Sequence, residues 1–244
     1  AMTGAPHREW HSRGYLPHFD HPGLVQSITF RLADSLPAEK LAQWQAELLA
    51  GARPSWPQSN EIKSGRDARA PAAFRERGHP GRFSDCGRDA RAPAGKIEVH
   101  RRIEAWLNRG HGRCVLRDPR MAQIVEDALL HFDGERYRLL AWVIMPNHVH
   151  VLAETLAGHR LGDFIHSWKS FTAKDINRVM GRTGPLWQAE YFDRYIRDAD
   201  HFRDAIRYIE QNPVEAGLAA RAEDWAFGSA RRKSSGSAGI LPAL

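Results

Sequence analysis

The only His-x-His in the chain is His148-Val149-His150. On a β-strand, side chains two apart project from one face about 6.6 Å from each other, so two imidazoles can converge on one cation. Val149 and Val151 would then face the core and fix the strand's register. Two half-buried histidines serving backbone groups would show the same spacing. Tyr208 and Asn212 form a second pair, four apart and so one helical turn. They fall on one border of an apolar face made by Phe202, Ala205, Ile206 and Ile209, which would set a phenol beside an amide oxygen. On spacing alone, Tyr208 could equally be a boundary packer and Asn212 the helix's last residue before Pro213.

The elements that must carry these residues follow from periodicity. Leu24 to Leu32 is β-rich and reads as a first strand. Asp34-Ser35-Leu36-Pro37 is a helix start, and Ala38 to Leu49 has helical spacing through Leu41, Trp44 and Leu48. Further helices are expected around Val99, Ile103, Trp106 and Leu107, and from Pro119 to His131. Arg138 to Met145 and His148 to Ala153 read as strands broken at Pro146-Asn147. A long helix spans Leu161 to Met180, and another opens near Asp198 and ends at Asn212-Pro213.

Composition bounds the class. The chain has 244 residues, 42% hydrophobic and 26% charged, enough for a packed core in one domain. No apolar run reaches the ~20 residues of a membrane span, and residues 1–8 lack the apolar stretch of a secretory leader. The alanine ahead of Met2 resembles a cloning scar. Two cysteines, Cys86 and Cys114, exclude a disulfide framework and fit a reducing cytoplasm. There is no GxxxxGK[ST] and no GxGxxG, which argues against an ATPase or a dinucleotide enzyme.

The net charge is +6 and the isoelectric point about 9.6, which favours a polyanionic partner. The excess is concentrated: Lys63 to Arg120 carries 15 Lys and Arg against 7 Asp and Glu. Within it, residues 62–95 are rich in Arg, Ala, Gly and Pro and too poor in large apolar residues to form a core. Gly65-Arg66-Asp67-Ala68-Arg69-Ala70-Pro71 recurs unchanged from Gly87 to Pro93. The stretch reads as a disordered insert, or alternatively as an Arg-rich arm that touches DNA. The expected organisation is a flexible 1–12, a domain over 13–230 interrupted at 62–95, and a flexible tail over 231–244.

Several blocks in order resemble one family. Met145-Pro146-Asn147-His148-Val149-His150-Val151-Leu152 is similar to the metal-binding strand of the HUH single-tyrosine transposases. Leu186-Trp187-Gln188-Ala189-Glu190-Tyr191-Phe192-Asp193 and Arg207 to Leu218 resemble REP-associated tyrosine transposases more specifically. Arg13 to Asp20, Thr29 to Leu32, Asp224-Trp225 and Ser229 match as well. The likeness covers about residues 10–61 and 97–230.

The resemblance implies an α+β domain of the ferredoxin/RRM-like HUH nuclease fold, an antiparallel sheet with helices packed on one face. It implies a DNA transposase that nicks single-stranded hairpin DNA of REP-like repeats and can rejoin the strands. His148, His150 and Asn212 would hold a divalent metal, Mg²⁺ or Mn²⁺, and Tyr208 would attack to form a 5′-phosphotyrosine. His201 is a further candidate near the metal, and Arg207, Lys169 and Trp168 are candidates for DNA contact. Tyr191 and Tyr195 rank below Tyr208 as nucleophile, being expected to share one strand face. The covalent bond conserves the energy for rejoining, so no nucleotide cofactor is expected, nor a membrane partner. The chain is expected to be a monomer or homodimer, cytoplasmic and nucleoid-associated. A vestigial hairpin-binding protein, an HUH replication initiator and an unrelated zinc protein are the competing readings.

Overall fold

The computed structural model describes residues 10–12, 17–19, 23–49 and 94–234. The expected insert therefore lies outside the described residues except for residues 94 and 95, as does much of the Arg13 to Asp20 block. Two compact units are distinguished, residues 1–38 with 102–244 and residues 39–101. The second unit holds nearly all of helix α1 (Ala38–Leu49), whose exposed face is laced by a hydrogen bond from Gln43 to Glu47 one turn on.

The first unit is built on a four-stranded antiparallel sheet. Its strands are β3 (Val25–Arg31), β4 (Tyr137–Ile144), β5 (His148–Thr155) and β6 (Phe192–Tyr195), in the order β4-β5-β3-β6. Two short strands, β1 (Trp10–Ser12) and β2 (Pro17–Phe19), pair separately. The interleaved order is that of a split βαβ, ferredoxin-like sheet. No helix among the described residues is long and apolar enough to cross a membrane.

Period-two alternation divides the sheet. Ile28, Phe30, Val149, Val151, Trp142 and Ile144 share one face and pack on α3 (Pro119–Leu130) and α4 (Leu161–Val179). A bulge between Leu139 and Ala141 inserts Leu140, which keeps both Leu139 and Trp142 on that face. α3 starts where Asp118 caps the Arg120 N–H and Pro119 occupies the first turn.

The expectation of helices on one face is corrected here. α5 (Ala199–Glu215) covers the opposite face, packing Ala205 and Ile209 on Ala141, Val143, Met145 and Leu152. The sign lies in β5 itself, which is buried at seven of its eight positions. A sheet wet on one side would alternate.

Two boundaries also differ from expectation. α5 runs through Pro213 to Glu215, because a proline this close to the helix end disturbs only the last turn. Gly217, with φ +69°, follows that end. Residues 231–234, expected in a flexible tail, belong to helix α6 (Ser229–Ser234).

Candidate metal and tyrosine site

β5 presents His148 and His150 on the face that α5 covers, while Val149 and Val151 enter the opposite core. Both histidines are almost fully buried, and their rings meet edge to face at 4.7 Å. The turn before β5 fixes the first of them. The Asn147 amide donates to the Leu107 and His111 carbonyls at 3.1 and 2.9 Å, and its oxygen accepts from His148 Nδ1 at 2.7 Å. With Nδ1 protonated, His148 Nε2 carries the lone pair. Thr29, opposite His150 across the β3–β5 ladder, meets His150 Nδ1 at 2.9 Å. These contacts hold both Nε2 atoms toward the same space, and neither Nε2 has a hydrogen-bond partner.

The other side of that space comes from two helices. From α5, Tyr208 places its ring 5.3 Å from that of His150. Asn212, one turn on, is fully buried with no hydrogen bond at either amide atom. Helix α2 (Ala94–Leu107) supplies Glu104. Its Oε2 accepts the Tyr208 hydroxyl at 2.5 Å and lies 3.3 Å from His150 Nε2. Ligand atoms of Glu104, His148 and His150 all fall within 4.8 Å of one another.

Burial drives the electrostatics. It holds His148 well below the usual imidazole range, helped by the charges of His150 and Arg31, and lowers His150 to about 3. Both rings are therefore neutral near pH 7, and the approach of Glu104 to His150 is a polar contact rather than an ion pair. Burial and the Glu104 carboxylate push the Tyr208 phenol well above its ordinary value. Asn212 opposes that rise weakly, in keeping with an amide beside the hydroxyl but outside good hydrogen-bond geometry.

This donor set fits a divalent cation. It offers two neutral imidazole Nε2 atoms and an amide oxygen that are buried without hydrogen-bond partners, together with the Glu104 carboxylate that Tyr208 engages. Nitrogen donors suit Mn²⁺ better than Mg²⁺, which prefers oxygen.

Sequence reasoning brings His148, His150, Tyr208 and Asn212 to this region of the fold but misses Glu104, Asn147 and Thr29. Glu104 flanks the Ile103 and Leu107 stripe of α2, and a carboxylate on an apolar border was its only local signal. Asn147 read simply as a break between strands.

The remaining candidates are placed differently. Trp168 lies in the core, 2% exposed, donating its indole N–H to the Tyr137 hydroxyl at 2.8 Å. Trp168→Ala is accordingly expected to cost about 3–5 kcal/mol in urea denaturation, as large core truncations do. Lys169 donates to the Gln188 and Ala189 carbonyls at 2.6 and 2.7 Å, and burial lowers its ammonium to about 8. It thus pins the segment leading into β6. Arg207 is exposed on α5. The His201 ring accepts from the Arg197 backbone at the start of α5, two turns from Tyr208. Tyr191 is buried just ahead of β6, and Tyr195, at the end of that strand, is 37% exposed.

Residues 116–212 match the family model described as "Transposase IS200 like", a span that includes both histidines, Tyr208 and Asn212. Over this segment, which is less than half of the chain, it is similar to that family. Among individual proteins it is similar to the REP-associated tyrosine transposase of Escherichia coli (strain K12), 27% identical over 111 residues. That alignment takes in 45% of this chain and 65% of the relative's length. A solved REP-associated tyrosine transposase bound to a REP hairpin is 14% identical with a TM-score of 0.49, over 95% of this chain and 94% of that one.

Proposed function

We propose that the chain is a metal-dependent single-strand DNA transposase or nickase that acts beside hairpin-forming repeats. The observation that carries this reading is the meeting of Tyr208 with two buried, neutral histidines whose Nε2 atoms share one dry space. The similar E. coli protein, a REP-associated tyrosine transposase, supports the choice of DNA as substrate and of REP-like hairpins as its class.

In this reading His148, His150 and Glu104 hold the cation, with Asn212 available as a further oxygen donor. The ion, when bound, supplies Lewis-acid neutralisation of a phosphodiester. The phenolic oxygen of Tyr208 attacks phosphorus in line, its O–H bond breaks, and the 3′-oxygen leaves and is protonated as a 3′-hydroxyl. A 5′-phosphotyrosine remains, and the 3′-hydroxyl can reverse the step to rejoin strands. Asn147 keeps His148 in the tautomer that presents Nε2, and Thr29 holds the His150 ring in place through Nδ1. Exposed arginines such as Arg207 would hold phosphates, and their planar forks suit that task.

The test is a gel assay on labelled single-stranded hairpin DNA. A nick is expected with Mn²⁺ or Mg²⁺ and none with a chelator present. Cleavage of equal extent in the chelator would remove the metal from the mechanism. Binding without a cut under any metal would instead support a hairpin-binding protein with a vestigial site.

A further inference from the structure

Glu104 Oε2 faces two claimants. It accepts the Tyr208 hydroxyl at 2.5 Å and stands 3.3 Å from His150 Nε2, on the side where that nitrogen's lone pair would meet an ion. Two neutral imidazoles bring no negative charge, yet a divalent ion in a nearly dry site needs compensation. Among the described residues Glu104 is the carboxylate grouped with these histidines. The atom best able to supply that charge is thus already engaged by the proposed nucleophile.

We propose that Glu104 is a metal-operated latch on Tyr208: its carboxylate ties down the phenolic hydroxyl until a cation seated on His148 and His150 draws the same oxygen away. The latch rests on the metal and tyrosine reading above and deepens it. While the latch is closed, the hydroxyl is directed into the protein at Glu104 rather than toward a phosphodiester. An oxygen that coordinates a cation gives up electron density to it and becomes a poorer acceptor for the phenol. Metal binding and release of Tyr208 are therefore one event, and the nucleophile is freed only in a site able to use it. Glu104 acts here as a positioning residue, through Tyr208 and the ion.

Linkage makes the latch measurable without DNA. If Tyr208 and the ion compete for Oε2, removing the hydroxyl must strengthen ion binding, and only while Glu104 is present. Mn²⁺ affinity is measured by calorimetry on the full chain and on Tyr208→Phe, Glu104→Gln and the double variant, with circular dichroism as a check on folding. Tyr208→Phe is expected to tighten Mn²⁺ about tenfold, the scale of one hydrogen bond to a charged group. Glu104→Gln is expected to weaken it at least about tenfold, and adding Tyr208→Phe to that variant is expected to change nothing.

Unchanged or weaker affinity in Tyr208→Phe overturns the latch, as does equal tightening in the Glu104→Gln background. That result leaves the metal reading standing, since the wild type still binds. Wild-type protein that takes up no Mn²⁺ overturns both. Should Glu104→Gln fail to fold, the sign of the Tyr208→Phe effect against wild type still decides the matter.

Discussion

Tyr208→Phe is expected to reduce the covalent protein–DNA adduct at least about a thousandfold, since loss of a nucleophile removes the step rather than slowing it. Hairpin affinity should stay within about twofold. The substitution removes one oxygen and keeps the ring, whose packing at 5.3 Å against His150 needs no hydroxyl. The strand 3′ of the nick is the one that stays on the protein, so a label at the substrate's 3′ end reports the adduct on a denaturing gel. An adduct of wild-type intensity in the variant would dismiss Tyr208. Attention would then pass to Tyr195, because Tyr191 is buried at 7% exposure.

The same substitution separates two roles that activity alone confuses. With its phenol gone, Glu104 loses a proton donor and the site keeps its histidines, so metal affinity and cleavage should move in opposite directions. A residue that mattered only for packing would lower both.

How much of this was legible in the sequence depends on the range of the signal. His148 and His150 were readable because a strand's period of two puts them on one face, whatever lies around it. Tyr208 and Asn212 were readable because one helical turn separates them. What no local period reveals is the partner facing them. Glu104 is 44 residues before His148 in the chain and meets it only through tertiary packing.

The covering of both sheet faces was hidden for a related reason. Leu139 to Met145 is apolar at almost every position, a pattern that announces burial but not which helix lies on which side. Trp168 and Lys169 show the opposite error. An aromatic beside a base suggests DNA contact, yet one fills the core and the other holds backbone carbonyls, uses that composition does not distinguish.

Freed of metal by a chelator, the protein is expected to lose stability steeply on the acid side of pH 6.5. His148 and His150 are buried and neutral, so folding lowers their affinity for protons. As pH falls through about 6.5 the unfolded chain protonates first, and each proton it gains favours unfolding. Their contribution is intact above that pH and is lost progressively down to the folded value, about 3 for His150. At about 1.4 kcal/mol per pH unit, His150 alone accounts for about 3 kcal/mol by pH 4, and His148 adds in the same direction. A typical domain has only about 5–15 kcal/mol in total, so the metal-free protein should unfold in the region of pH 4.

Tyr208 sets the opposite limit. Its folded pKa is raised, so its contribution is complete below about pH 10 and declines as the pH rises further. Urea melts between pH 4 and 8 test the acid limb, with His150→Asn as control because it removes one of the two titrating rings. Equal stability at pH 4.5 and 7.5, or an unchanged slope in the control, would contradict the assignment of buried neutral imidazoles. Adding Mn²⁺ at a hundred times its dissociation constant should then raise stability by about 2.7 kcal/mol near neutrality. The gain should fade in acid, because protons and the ion compete for the same two nitrogen lone pairs.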